Sequence, residues 1–384
     1  MQNPAVSFVV PCYKLAHLLP ECINSILSQS FSDFEILIMD DCSPDNTAEV
    51  AKSFHDNRVT HIRNHINLGP LRNYNKGINL SRGKYVWLIS ADDYLRQPYV
   101  LHRHIELLEA NPQIGYTFSP GVGVMHGRET ELLGYSVFSD HDEIIDGRDF
   151  VTKLLSYNMV LAPSALARRE CYEKISLFLL DVVWAGIAVD MVWGGDWYLW
   201  LLFALYYDVG YFAEPMVCYR EHELSMTNTV TQEKVETCWA AEMAVLWMIR
   251  DKAKTLGLRN LSKDCLFAIT GYYARHCLSK DYQWLDQSSR STITIDQFEE
   301  TLRRSTGCER ERNWIRARVF TEMADLFYSQ GDLSSARKLY LAGLRKDHLM
   351  TKVYAKTLLL LVGKPGVYAR QFFGSLLRSA HEIT

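Results

Sequence analysis

The sequence predicts an α/β fold, a mostly parallel mixed sheet covered by helices, followed by an α-helical region. Three observations predict it. Short β-branched runs alternate with amphipathic stretches from residue 6 to about residue 90. Acidic or polar turns follow the strands. Past about residue 232 helical periodicity takes over, with no proline until Pro365.

The elements follow in order. VSFVVPCY (6–13) is β-branched and aromatic and reads as a buried strand stopped by Pro11. LAHLLPECINSILSQ (15–29) carries helical spacing through Leu19, Ile23, Ile26 and Leu27. FEILIMDDCSPDNTAEVAKSF (34–54) reads as a second strand, an acidic turn and a helix, with Asp45 or Asn46 as N-cap. VTHIRN (59–64) is a third strand, GPLRNYNKGINLS (69–81) a helix entered through Gly69 and Pro70, and KYVWLIS (84–90) a fourth strand. Strands alternating with helices imply parallel units with right-handed crossovers, whose ligands bind beyond the carboxyl ends of the strands. From about 100 to 230 the pattern mixes. IGYTFSPGVGVM (114–125) reads as a strand, 148–156 as a helix, GGDWYLWLLFALYYD (194–208) as a buried helix, and VGYFAEPMVCYREH (209–222) as strand and loop.

The expected domains are 1–231 and 232–384. Within the second, residues 320–347 read as two helices around Gly331 and Asp332, with Ala324, Phe327, Ala336, Tyr340 and Ala342 at helical spacing. That pattern resembles one tetratricopeptide-like hairpin, with a degenerate second copy at 348–363.

Composition narrows the function. The chain has 384 residues, 48% hydrophobic and 22% charged, which suits a soluble protein of about two domains. A net charge of -4 argues against a nucleic-acid partner. Nine cysteines form no C-x-x-C pair, so neither a zinc site nor a disulfide framework is expected, and a reducing cytoplasm fits. The first seven residues lack the basic and apolar regions of a leader, and none is expected. Asp181, Asp190 and Asp196 interrupt the most apolar tract (175–207), which therefore reads as core rather than a membrane span.

The first strand ends in neither G-x-G-x-x-G nor G-x-x-x-x-G-K-[ST]. A sheet that binds a nucleotide without such a loop needs another way to neutralise phosphate, and a divalent cation held by carboxylates is one. Asp40 with Asp41, and Asp92 with Asp93, stand at strand ends where such a cation or a nucleotide would lie.

Six segments occur in one order: VSFVVPCYK, LIMDDCSPDNTAE, NLGPLRNYNKG, YVWLISADD, GGDWYLW and YREHELSMT. Together they resemble family 2 glycosyltransferases, with the GT-A fold, a Rossmann-like nucleotide-diphospho-sugar transferase sheet, over about residues 5–230. The resemblance implies that Pro11 and Tyr13 line the nucleotide pocket and that Asp41 accepts from the base. It implies that Asp92 and Asp93 end a D-x-D-type motif, one holding Mn²⁺ or Mg²⁺ and the other the ribose or donor, with Ser90 in place of the first acid. His222 completes the metal site, and Arg220 and Ser225 lie near enough to touch phosphate. Asp196 becomes the catalytic base, although Gly195 replaces the usual Glu before it. The family's A-R-N-x-G segment places Tyr74 at its Arg and Asn75 at its Asn. Arg72, two residues early, is the candidate substitute for that Arg.

The implied activity is inverting, metal-dependent transfer of a sugar from a nucleotide donor, UDP-sugars favoured, to a glycan or lipid-linked acceptor in bacterial surface polysaccharide synthesis. A non-catalytic sugar-nucleotide or glycan-binding scaffold, working through its helical part, is the alternative. A nucleotidyltransferase would show a basic, glycine-rich segment after the first strand, and PCYKLAHLLP has only Lys14 and no glycine. The helical part is expected to dimerise or to bind a protein partner. The segment 366–379 mixes aromatic and leucine residues with Arg370 and Arg378, which also suits peripheral contact at the inner face of the membrane.

Overall fold

The computed structural model describes residues 3–222, 225, 232–281 and 295–346. Their contacts group into two compact units, delimited as Met1–Val182 with Ala188–Leu261, and Val183–Ile187 with Ser262–Thr384.

In the first unit β1 (Val6–Cys12), α1 (Leu19–Leu27), β2 (Phe34–Asp40), α2 (Thr47–Lys52), β3 (Val59–Arg63), α3 (Pro70–Leu80) and β4 (Tyr85–Leu88) alternate as expected. The strands pair in parallel in the order β3-β2-β1-β4. Every residue of β1 and β2 is buried, which is why both read as mostly apolar runs, broken only by Ser7, Glu35 and Asp40. Pro11 does not stop β1, which continues to Cys12. β4 pairs only as far as Leu88, opposite Val9, so Pro11 has a ladder neighbour on β2 alone.

Next come β5 (Tyr94–Leu95), α4 (Val100–Ala110), β6 (Ile114–Phe118), β7 (Gly121–Met125) and β8 (Arg128–Leu132). The single strand expected over 114–125 is therefore two. Pro120 has no N–H to donate, and the halves on either side of it serve different sheets. After β9 (Glu143–Ile145), α5 (Gly147–Leu154), β10 (Leu166–Arg168) and α6 (Arg169–Lys174), a hairpin forms from β11 (Asp181–Trp184) and β12 (Ile187–Asp190). α7 (Gly195–Ala204), β13 (Asp208–Tyr211) and β14 (Val217–Arg220) follow.

The large sheet has eight strands in the order β3-β2-β1-β4-β10-β6-β13-β9, with β10 antiparallel to both neighbours. A second sheet, β5-β14-β7-β8, pairs β14 antiparallel with β5, Cys218 opposite Tyr94. β5 begins one residue after Asp93 and β14 ends two residues before His222. This pairing therefore lays two segments far apart in sequence against each other at the end of β4.

α7 is apolar on every side because it is buried on every side; all its residues except Asp196 and Tyr198 are buried. It packs antiparallel on α5. At one end Trp197 Nε1 donates to Leu154 O (2.9 Å). At the other, a Cβ on Gly147 would fall 2.0 Å from Tyr207 O and 2.3 Å from Ala204 O. Gly147→Ala is expected to destabilise the fold by about 1–3 kcal/mol or more, because the clash is with backbone. A fall in the thermal unfolding midpoint checks it; an unchanged midpoint would mean that the helices are not packed this way.

α8 (Gln232–Thr255) packs on α7 and remains in the first unit, whereas the sequence reading set the break at 231/232. Apolar contact with α7, rather than the change in periodicity, decides which unit α8 joins. The second unit contains α9 (Arg259–Asp281), α10 (Ile295–Ser305), α11 (Glu309–Ser329) and α12 (Leu333–Lys346). α11 and α12 form the expected hairpin. Its turn passes through Gly331 at φ 85°, and Ala324, Phe327, Ala336 and Tyr340 are buried. Among the described residues no helix is long and apolar enough to cross a membrane. The segments 348–363 and 366–379 lie outside the described residues.

Candidate active site

β1 and β2 end side by side, and the turns that follow them are tied together. Asp41 N donates to Cys12 O (3.0 Å), Lys14 N to Ser43 Oγ (2.6 Å) and Ala16 N to Asp45 Oδ2 (3.1 Å). The paired acids then divide. Asp40 points into the protein, fully buried, and accepts from Arg63 Nη1 (2.6 Å) and Ser43 N (2.8 Å), with His61 Nε2 at 3.2 Å. It anchors β2 to β3. Asp41 faces the α3 approach. Its Oδ1 accepts from Asn64 Nδ2 (2.8 Å) and Leu68 N (2.8 Å), and its Oδ2 from Gly69 N (3.0 Å). A carboxylate offers about four acceptor sites, so one is left for a ligand N–H.

Asn64 was not legible as a site residue. It is held by Asn73 Oδ1 (2.9 Å) and Lys76 Nζ (2.6 Å), and Asn73 in turn donates to Met39 O (2.9 Å). The spacing of Asn64, Asn73 and Lys76 carries no recognisable motif. Only the folding of α3 back onto β2 brings them together.

The β4 turn lies on the same edge, because Ala91 N donates to Pro11 O (3.1 Å). Asp93 N closes the turn onto the Ser90 carbonyl (3.0 Å). Asp93 Oδ1 accepts from the backbone N of Arg220 (3.0 Å), and Arg220 Nε reaches back to Asp92 O (3.0 Å). The Arg220 guanidinium also pairs with Glu21 (2.7 Å), so it braces the turn. Burial, and then the neighbouring Asp92 charge, push the Asp93 carboxyl well above the usual range. Asp92 Oδ2 lies 3.0 Å from His222 Nε2, while its buried Oδ1 has no hydrogen-bond partner among the described residues.

Among the described residues no three His, Cys, Asp or Glu side chains form a ready metal cage. The orphaned Asp92 oxygen, with Asp93 and His222 beside it, nevertheless suits a hard cation that takes its remaining oxygens from a ligand. An unpaired buried carboxylate oxygen is costly, and a cation or ligand donor there would remove that cost.

Asp196 is the second residue of α7, part-buried at its N-terminal end. Oδ1 accepts from Trp197 N (2.7 Å) and Oδ2 from Asn158 Nδ2 (3.0 Å). Burial pushes this carboxyl up, and the hydrogen bonds from Trp197 and Asn158 oppose the shift. Gly195 has a packing reason: a Cβ there would press on Phe178 Cδ1 at 3.3 Å and Leu71 Cδ2 at 3.5 Å.

Tyr74 shows which acids gather. Burial pushes its phenol up, and the charges of Asp92, Asp196 and Asp93, in that order, push it further. The charges of all three carboxylates thus reach one buried side chain of α3, whose ring stands edge-on to Phe178 at 5.5 Å. The remaining sequence candidates are held as follows. Asn75 is clipped to the backbone of Phe178, donating to its carbonyl (2.8 Å) and accepting from its N–H (2.9 Å). Arg72 is exposed and pairs with Asp181 at 3.3 Å. Pro11 is buried at the end of β1, and Tyr13 is exposed with Lys14 Nζ 5.2 Å from its ring centre. Ser225 is buried.

Comparison with known proteins bears on the family and the fold. The model of the family described as glycosyl transferase family 2 matches residues 7–173. Glycosyltransferase GlyA of Streptococcus pneumoniae is 27% identical over 179 residues, 44% of this chain and 25% of GlyA. Glycosyltransferase GlyG of the same organism is 32% identical over 114 residues, 29% of this chain and 38% of GlyG. The alignments thus span about a quarter and under two fifths of these relatives. S. aureus TarS 1–349 in complex with UDP-GlcNAc superposes with a TM-score of 0.56 at 15% identity, over 87% of this chain and 90% of that one. At that identity the likeness is one of fold. The matched segment carries both acidic turns and α3 on the sheet just described, and the chain contains a family 2 glycosyltransferase domain over residues 7–173.

Proposed function

We propose that this chain transfers a sugar from a nucleoside-diphosphate donor to a hydroxyl of a glycan or lipid-linked acceptor, with inversion at the anomeric carbon. What carries the reading is that the charges of Asp92, Asp93 and Asp196 all reach Tyr74, while backbone hydrogen bonds tie the β2 and β4 turns, with Asp41 and Asp92, to the end of β1.

In the proposed reaction the acceptor hydroxyl gives its proton to Asp196 as its oxygen bonds to the anomeric carbon. The bond from that carbon to the diphosphate oxygen breaks on the opposite face, and its electron pair leaves with the nucleoside diphosphate. One displacement inverts the centre, and no covalent enzyme intermediate forms. Asp41 receives an N–H of the base, and Pro11 and Tyr13 border the base pocket. Asp92, Asp93 and His222 would hold Mn²⁺ or Mg²⁺, which when bound would supply positive charge against the leaving diphosphate. Burial of Asp196 supports its role, because a carboxyl raised toward neutral pH is a better proton acceptor than an ordinary one.

UDP-sugars are the first donors to test, since a protein of similar fold holds UDP-GlcNAc. Thermal unfolding with UDP- and GDP-sugars, with and without Mn²⁺, is the experiment. A donor at 100 times its dissociation constant should stabilise by about 2.7 kcal/mol. Metal-dependent stabilisation followed by release of nucleoside diphosphate to an acceptor supports the enzyme. Stabilisation without any turnover favours the sugar-nucleotide-binding scaffold, with the helical region 232–384 as the working part.

A further inference from the structure

The mechanism above uses Asp196 but not the side chain that holds it. Asn158 follows α5 and reaches Asp196 Oδ2 with its amide nitrogen (3.0 Å), while its own Oδ1 accepts from Val160 N (3.3 Å). That second bond fixes which way the amide faces: the oxygen meets a backbone donor, so the NH₂ must meet the carboxylate. The two segments are also fastened beside this contact, because Trp197, next to Asp196, donates its indole N–H to Leu154 O (2.9 Å). The geometry of the pair is therefore set by the antiparallel packing of α5 and α7 rather than by a flexible side chain.

We infer that Asn158 is a positioning residue for the proposed base: its amide locks the Asp196 carboxylate in one orientation and keeps it ready to accept a proton. The inference rests on the reading of Asp196 as base. Each Asp196 oxygen already faces a donor, Trp197 N on Oδ1 and Asn158 Nδ2 on Oδ2. Both donors favour the ionised form and so oppose burial, whose upward push on this carboxyl nevertheless prevails. Removing the amide removes the one side-chain hydrogen bond among those that oppose burial at Asp196. The titratable group that feels the Asp196 charge is Tyr74 of α3, which also feels Asp92 and Asp93 of the β4 turn. No charged group of α5, of the Asn158 segment or of α7 itself contributes to the shift at Asp196.

The test needs no donor or metal. In full-length protein labelled with ¹³C at aspartate carboxyls, the Asp196 signal is identified by its loss in Asp196→Asn, and its titration midpoint is followed. Asn158→Leu should move the midpoint up by about one pH unit. Asn158→Asp, which adds a like charge, should move it further up. The order wild type, Asn158→Leu, Asn158→Asp is the expected result, with unfolding midpoints recorded to show that each variant is folded. A midpoint within about 0.2 units of wild type in either folded variant overturns the inference. If Asp196→Asn abolishes transfer but the midpoint does not move, only the role of Asn158 fails. If the midpoint moves and Asp196→Asn still transfers sugar, it is the reading of Asp196 as base that fails.

Discussion

Asp196→Asn should lower sugar transfer by about 10²–10⁴-fold with little change in donor KM, because general-base catalysis contributes on that scale and the residue makes no contact proposed for donor binding. The amide keeps the shape of the carboxylate and can still meet Trp197 N, so the start of α7 should be preserved. Linkage gives a second, independent expectation. The folded-state carboxyl titrates above its unfolded value, so the ionised form is the one the fold disfavours. Asp196 therefore subtracts stability as pH rises through the window from the ordinary aspartate range to its raised midpoint. At neutral pH the Asn variant should unfold at the same temperature as wild type or higher. Loss of activity with retained or increased stability is the pattern of a residue kept for function. Equal transfer by both proteins, with donor and acceptor saturating, would remove Asp196 from the mechanism.

Asp92→Asn should abolish the Mn²⁺-dependent part of donor stabilisation and lower transfer by about two orders of magnitude. The substitution keeps a side-chain oxygen but removes the charge, and it puts an NH₂ in place of either the orphaned Oδ1 or the Oδ2 that faces His222. Donor binding without metal should change little, because Asp41 and the edge of β1 do not depend on Asp92. Thermal unfolding across a Mn²⁺ series, with and without UDP-sugar, separates the two contributions. The idea fails if Asp92→Asn responds to Mn²⁺ plus donor as strongly as wild type does. A fall in stability without ligand would instead mean that Asp92 serves the β4 turn.

Much of the first unit was written locally. β1 and β2 are runs of side chains that suit a strand buried on both faces, and the polar turns after β1, β2 and β4 lie where parallel strands leave a crevice. The order of six short segments carried the family, because each is fixed by a turn or a strand end. Other features were not legible for a definite reason. Asn158 and Asp196 are 38 residues apart, and nothing near either one announces the other. Asn75 matched a motif position, yet its amide is used up on Phe178, 103 residues away. Asp40 and Asp41 are neighbours of identical chemistry, and strand alternation sends one inward to Arg63 and the other to the α3 turn.

Taken alone, the sequence determined the strands and helices of the first ninety residues and which chemical groups stand at those strand ends, because periodicity and turn residues act over a few positions. The tertiary structure decided which of those groups meet and how each carboxylate is held. It also decided that 114–125 splits between two sheets and that α8 stays with the first unit. Those outcomes depend on desolvation and on hydrogen-bond partners brought from distant parts of the chain, and such terms exist only once the chain has packed.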